Sequence, residues 1–303
     1  MRIASTQYHT TMNTALQGAN EKASAMLQRM ATGQRMLVPS EDPVSQVRLM
    51  RLGREEAAID QYRKNIETLN SRLEQNESHL SNIVNDSMDA RDLLVWALNG
   101  SNAPEDLKAM VSSFDALRES ILYTANTRDR EGRYLFSGTA IDTAPIRYDP
   151  AQPVGSRYTF AGNTQEQAVA VGSGVTQPAN VSLPEVAALL NHLEQAGATM
   201  ATSGVNVNDP AVRATLTAAL DGLDASKNSI DTQIARQGGR RNILEALDGN
   251  HADVSLSNQT AALTIAQLDY GDAAVKLNGY TLAVEATQKA YAKVSGLSLF
   301  NLL

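Results

Sequence analysis

Four histidines are the first residues to weigh for chemistry, since imidazole is both an acid–base group near neutral pH and a common metal ligand. His9, His79, His192 and His251 lie far apart in the chain. No two share the spacing that sets a metal pair on one helix, and neither HExxH nor a two-His-one-carboxylate pattern occurs. His251 and Asp253 stand two apart, which is too few donors for a metal. Surface or loop positions are expected for the histidines. The chain has no cysteine, so disulfides, thiolate nucleophiles and sulfur-held metals are absent and either redox compartment suits it. Gly238-Gly239-Arg240-Arg241 places small residues beside cations, but the phosphate-loop signature and a preceding strand are missing. A close crossing of helices is the expected use of those glycines. No catalytic, cofactor-binding or metal-ligating residue is assigned.

Composition narrows the classes further. A net charge of -7 over 303 residues opposes a phosphate-binding face, so no nucleic acid is expected. No apolar run approaches the roughly 18 to 20 residues that span a bilayer, so no membrane role is expected either. Met1 to Gln7 lacks the apolar core of a conventional signal peptide. That leaves open a secretion route that reads N-terminal sequence. Aromatic residues make up only 5% of the chain, which suits helices joined along narrow seams.

The elements themselves carry the signal. Met12, Leu16, Ala19, Ala23, Met26 and Met30 alternate by four and three. Near the other end, Leu263, Ala266, Tyr270, Ala273, Leu277, Tyr280, Val284, Thr287, Tyr291 and Val294 do the same. This period is the seam of a left-handed coiled coil. A first helix is expected from about Thr6 to Met30, broken at Thr32–Glu41 and restarted by Asp42-Pro43. There Asp caps orphan N–H groups and Pro suits the first helical position.

The second helix is expected from Pro43 to Leu98, with Ile59, Tyr62, Ile66, Leu69, Leu73, Asn76, Leu80, Ile83, Ser87, Ala90 and Leu94 on its seam. At ~1.5 Å per residue it would run roughly 80 Å, against a globule only about 50 Å across for this chain length. An elongated molecule is expected. Asn76 in that seam reads as a register-fixing residue. The charges Glu55, Glu56, Asp60, Arg63 and Lys64 read as a solvated face. Asn102 with Glu105 is expected to cap a third helix bearing Leu107, Met110, Phe114, Leu117 and Ile121.

From Asp142 to Ser182, Ile146-Arg147-Tyr148, Arg157 to Phe160 and Ala168 to Val171 are β-prone runs between Pro and Gly. A short helix follows from Pro184 to Gln195, with Ser182 and Glu185 as its expected capping box. Asp209-Pro210 starts another long helix through Leu216, Leu220, Leu223, Ile230, Ile234 and Leu244, with Lys227, Gln237 and Arg241 between them. Gly249 to Val254 is expected to interrupt it. The fold class is therefore mainly α: an elongated, coiled-coil-like helical rod built from both ends of the chain, with a small β-rich inserted domain. Its expected parts are a terminal assembly region (1–42 with 251–303), a helical rod (43–138 with 209–250) and the insertion (139–208).

Several motifs together resemble the flagellin family of bacterial axial proteins. Leu27 to Arg35 followed by Pro39-Ser40-Glu41-Asp42-Pro43 is similar to that family's first helix, its break and its "SDDP" restart. Gly132-Arg133-Tyr134-Leu135-Phe136-Ser137-Gly138 resembles a "GxYLFSG" entry to a β domain, and Arg236 to Glu245 is similar to "VGARxNRLE". Ser298-Leu299-Phe300-Asn301-Leu302-Leu303 resembles the closing "SLFNYL" of family members at the hook–filament junction; ordinary flagellins more often end in Leu-Leu-Arg or Leu-Leu-Gly.

The resemblance implies a structural subunit of the bacterial flagellum rather than an enzyme, joining hook to filament by self-assembly of its terminal helices into a tube. It implies export through the flagellar type III apparatus, an export chaperone on the C-terminal helix, and an extracellular destination. Hook-associated protein 1 would lie on one side and flagellin on the other. A short filament-forming flagellin shares the terminal design, and a cytoplasmic coiled-coil scaffold shares the seams alone. The assembly seam is assigned to Met12, Leu16, Ala19, Ala23, Met26, Met30, Leu263, Tyr270, Leu277, Tyr280, Val284 and Tyr291. Two alanines among the six front positions limit burial, so the terminal pair is expected to be marginal in the free subunit and completed by neighbours.

Overall fold

Two Asp-Pro pairs start the two longest helices. Asp42 Oδ1 accepts the Ser45 N–H (3.1 Å) at the head of α2, Pro43–Ala97. Asp209 Oδ1 accepts the Ala211 N–H (2.8 Å) at the head of α5, Pro210–Ala266. Each carboxylate satisfies an N–H that has no intrahelical partner, and each proline supplies a helical φ where no N–H is needed. The computed structural model describes residues 2–300, with side-chain surroundings for residues 7–293. Val294, the Ser298–Leu303 tail motif and the side chains at 1–6 lie outside the described set.

The other helices are α1 (Arg2–Thr32), α3 (Pro104–Ala125), α4 (Glu185–Met200) and α6 (Tyr270–Phe300), with strands β1 to β4 between α3 and α4 in the sequence. β1 (Ile146–Tyr148) pairs antiparallel with β2 (Tyr158–Phe160), Ile146 facing Phe160. β3 (Ala168–Gly172) pairs antiparallel with β4 (Val175–Pro178) through a bulge between Ala170 and Gly172. The insertion is thus two hairpins, and β4 carries no alternation that would mark it in advance. The chain divides into two compact units, residues 1–58 with 252–303 and residues 59–251.

In the second unit the α2 seam is buried at every expected position except Tyr62, which is half-buried. From Leu80 onward it joins Leu107, Met110, Phe114 and Ile121 of α3 and Leu189, Leu190 and Leu193 of α4 in one core, while Ile66, Leu69 and Leu73 pack with Val171, Ala179 and Leu244 in a second. On α5 the first core takes Leu216, Ala219, Leu223 and Ile230. Ser226, not Lys227, holds the buried position between Leu223 and Ile230, its hydroxyl donating to Gly222 O (2.9 Å). Lys227 lies one residue off the seam and pairs with Asp231 (2.7 Å), while Arg241 pairs with Glu77 (3.0 Å). Asn191 ties α4 to β2 by accepting the Tyr158 N–H (2.9 Å) and donating to Tyr158 O (2.8 Å).

Several local expectations are corrected. The cap of α3 is Ala103 with Asp106, whose carboxylate accepts the Ala103 N–H (3.0 Å). Asn102 instead donates to Trp96 O (2.7 Å), closing the end of α2. No side chain caps α4: Pro184 holds that place, Ser182 bridges Ser137, and Glu185 is half-buried with its carboxyl pushed up by burial. The helix α5 runs unbroken through Gly249–Val254. The charged stretch at 55–64 is more than a solvated face, since Arg63 pairs with Asp248 (2.8 Å) and Glu56 accepts from Ser255 and Gln259.

Asn76 and Gln237 are fully buried, and neither side-chain amide has a hydrogen-bond partner among the described residues. Gln237 lies one turn before Arg241, which pairs with the residue after Asn76. Buried amides without partners each cost roughly 1–3 kcal/mol, and replacing both members of a polar layer with apolar groups removes that cost. The double variant Asn76→Leu with Gln237→Met is expected to gain about 1–3 kcal/mol, seen as a raised urea midpoint at unchanged slope. A lowered midpoint would show that the amides hold the seam together.

Candidate functional site

The histidines serve packing. His9 meets Tyr291 edge-on (5.3 Å between centroids), His251 Nε2 lies 2.8 Å from Val171 O and stacks on Tyr62, and His79 sits edge-on to Phe136. A Cβ on Gly222 would come within 2.4 Å of the His192 ring. All four are half-buried on helices, not on loops. Among the described residues no three His, Cys, Asp or Glu side chains gather as metal donors. A Cβ on Gly238 or Gly239 would meet nothing within 4 Å, so no backbone crosses there. Those glycines instead loosen the interior of α5, by ~1 kcal/mol each relative to Ala.

The terminal helices form the other compact unit. They pair antiparallel, since His9 meets Tyr291 while Met26 and Met30 cluster with Leu268, Ala273, Leu277 and Tyr280. Met12, Leu16, Ala19, Ala23 and Met30 of α1 are half-buried, and Met26 is 5% exposed. On α6, Ala273 is buried and Leu277, Tyr280, Val284, Thr287 and Tyr291 are half-buried. Leu263 is not on this seam. It belongs to α5 and is 62% exposed. Tyr270 is half exposed, yet its hydroxyl donates to Met30 O (3.1 Å).

A hydrogen-bonded clasp at Gly33–Arg35 and Ala266–Leu268 joins the end of α1 to the start of α6. Arg35 N–H donates to Ala266 O (2.8 Å), and Leu268 N–H donates to Gly33 O (2.9 Å). Gly33 takes a φ of 70° here, a left-handed conformation that L side chains resist. Arg35 also reaches Ile265 O (3.1 Å), Asp42 (3.0 Å) and the Ser45 hydroxyl (3.0 Å). Glu41 accepts the Leu37 N–H (3.0 Å) and pairs with Arg29 (3.0 Å).

Two carboxylates therefore titrate with the clasp. The Leu37 N–H, with Arg29 behind it, holds the Glu41 carboxyl below its ordinary value. Hydrogen bonds from Ser45, backed by Arg35, do the same for Asp42. A carboxylate depressed in the folded state is protonated first in the unfolded chain. Its stabilisation is therefore full above the ordinary carboxylate range, near pH 4, and is lost as pH falls through the folded value. Hydrogen exchange at the Leu37 and Ser45 amides, corrected for intrinsic rate, is expected to stay flat from pH 7 to about 5 and to accelerate below about 4. Glu41→Gln should blunt the acceleration at Leu37. A flat profile down to pH 3 would remove these carboxylates from the clasp.

Beyond the seam, α6 carries a second stripe on another face. Val275 is 74% and Leu282 65% exposed, with Ala274, Gly279, Ala283 and Ala286 exposed alongside them. Leu27 of α1 and Val44, Val47 and Met50 of α2 are likewise exposed. The signal available was that α6 carries apolar and small residues on two faces, a pattern suited to burial on both. Among the described residues, Met26, Leu268 and Ala273 form the buried centre of the terminal pair.

A paired-helix terminal region with an outward apolar stripe, and a helical unit carrying small hairpins, make up a flagellin-like helical fold. Residues 3–140 match the bacterial flagellin N-terminal helical region. Over nearly its whole length the chain is similar to flagellar hook-associated protein 3 of Escherichia coli strain K12, at 28% identity over 291 residues covering 91% of each chain. It is similar to the protein of that name from Salmonella typhimurium at 24% identity, covering 100% of this chain and 99% of the relative. A solved flagellar hook-associated protein structure from Vibrio parahaemolyticus superposes with a TM-score of 0.67 at 29% identity, covering 74% of this chain and 99% of that one.

Proposed function

We infer that this chain is the structural subunit that joins the flagellar hook to the filament. The carrying observation is α6: one face packs on α1, while Val275 and Leu282 stand open on another. Fully burying such a side chain contributes ~1.5–3 kcal/mol, and among the described residues no second layer of helix covers this face. Neighbouring copies supply that layer, so the terminal pair is completed by polymerisation into a tubular homo-oligomer. In this reading Met12 to Met30 with Ala273 to Tyr291 form the inner seam of each subunit, and the outward stripe makes the contacts between subunits. Hook-associated protein 1 lies on the hook side and flagellin on the filament side. The subunit leaves the cell through flagellar type III export, its C-terminal helix held by an export chaperone, and acts outside.

The chain has no cysteine, so one engineered on the surface, at Tyr123 (80% exposed), is its single labelling site on intact cells, with cells of the parent chain as the background. One narrow fluorescent band is expected where the curved base of the appendage meets its long shaft. Label along the whole shaft would make the protein a filament flagellin. Label confined to the cytoplasm would make it a scaffold.

A further inference from the structure

We propose that the groove between α2 and α3 receives the start of α2 from a second copy of this chain. This rests on the reading of the protein as an assembling subunit and adds which surfaces meet. The groove is a cavity of about 620 Å³ with Asp86, Asp89 and Asp92 along one rim and Leu93, Trp96 and Leu117 among its apolar lining. Trp96 is the chain's single tryptophan and is 54% exposed. An indole left open beside an apolar floor is the kind of anchor that dominates protein interfaces.

The charges select the occupant. Asp86, Asp89 and Asp92 recur every third residue, and Asp89 and Asp92 have no ion pair or hydrogen bond among the described residues. At the start of α2, Arg48, Arg51 and Arg54 recur at the same spacing, are exposed, and have no ion pair among the described residues. Val44, Val47 and Met50 are exposed between them. Successive charges on both faces are separated by the same rise, about 4.5 Å for three residues. Rows of every third residue slant across a helix face, so a helix that crosses the groove obliquely sets guanidinium groups against carboxylates in one register. In that register Val47 and Met50 come to Leu93 and Trp96, and an arginine can lie on the indole face. Charge-assisted pairs fix register and steer approach, while the apolar contact supplies affinity. Giver and receiver are different surfaces, so the contact is heterologous and propagates from copy to copy instead of closing as a twofold dimer.

The test uses the full chain carrying Met50→Cys and Ser113→Cys, one on each surface, treated with a short bismaleimide on flagellated cells and as concentrated purified protein. A ladder of covalent oligomers extending past the dimer is expected from the double variant, and at most dimers from either single variant. Adding Arg48→Glu, Arg51→Glu and Arg54→Glu should weaken the ladder at least tenfold. Restoring complementarity in the same chain with Asp86→Lys, Asp89→Lys and Asp92→Lys should bring it back. Five of the six positions are exposed, Asp86 is half-buried and accepts the Ser120 hydroxyl (2.7 Å), and unchanged far-ultraviolet circular dichroism will show that the variants fold. No ladder in either setting, a ladder indifferent to the arginine reversals, or cross-linking to a different protein would overturn the proposal. A chain that marks the junction band yet forms no ladder loses only the groove. A chain that ladders when purified but never marks the appendage keeps the groove and loses the junction role.

Discussion

Replacing Val275 and Leu282 with aspartate is expected to reduce incorporation into the appendage by at least a hundredfold while the exported subunit still folds. Both side chains are largely exposed in the single chain, so the change costs the free subunit little. In the assembled state each native side chain gains roughly 1.5–3 kcal/mol by burial, about 3–6 kcal/mol for the pair. That corresponds to roughly a hundredfold to ten-thousandfold in association, and buried unpaired carboxylates would add to the loss. The informative contrast is Leu277→Asp with Val284→Asp on the face toward α1. Those carboxylates enter the seam within the subunit, so protease resistance of the terminal pair should fall before any assembly step is reached. The outward variant should instead leave the pair as resistant as in the parent and collect as soluble protein in the medium. Normal incorporation of the outward variant would show that assembly uses another surface.

The contrast between the two faces marks what could be read in advance. The inner seam was legible because antiparallel pairing buries every third and fourth residue, and Met26, Ala273 and Leu277 fall on that period. The outward stripe was not, because no described element packs on it and small residues such as Ala274 and Gly279 look neutral. Helix ends divide in the same way. Asp42-Pro43 and Asp209-Pro210 carry their own cap chemistry, so both starts were legible. The break at Gln267–Asp269 contains neither Gly nor Pro; Asp269 Oδ1 caps the restart by accepting the Gly271 (2.8 Å) and Asp272 (3.1 Å) N–H groups, and long-range bonds run from Arg35 to Ala266 and from Leu268 to Gly33. Conversely, Gly249–Val254 has the composition of a break, yet the helix continues through it into the stretch where Ser255 and Gln259 donate to Glu56. Tertiary contacts outweigh the modest propensity differences in both directions.

Gly138→Ala is expected to be the most damaging single-methyl change in the chain. Gly138 closes the Gly132–Gly138 motif that leads into the hairpins and holds a φ of 71°. An added Cβ would stand 2.0 Å from the Asn163 carbonyl oxygen, a backbone atom that cannot swing aside. That carbonyl is pinned because Asn163 N–H donates to Ser137 O (3.1 Å) and Asn163 Oδ1 accepts the Thr139 N–H (3.0 Å). The left-handed backbone alone costs a non-glycine residue roughly 1–2 kcal/mol, and overpacking against a fixed neighbour adds about 1–3 kcal/mol. A total loss of about 2–5 kcal/mol is therefore expected in urea unfolding. Because Phe136 is fully buried two residues earlier, movement at Gly138 will disturb the core that holds the β1–β2 hairpin. Gly132→Ala supplies the control. Its φ of 80° carries a similar backbone cost, but its Cβ would meet nothing within 4 Å. The control should lose only about 1–2 kcal/mol, and equal losses in the two variants would mean that the Asn163 contact yields and backbone conformation alone sets the requirement for glycine.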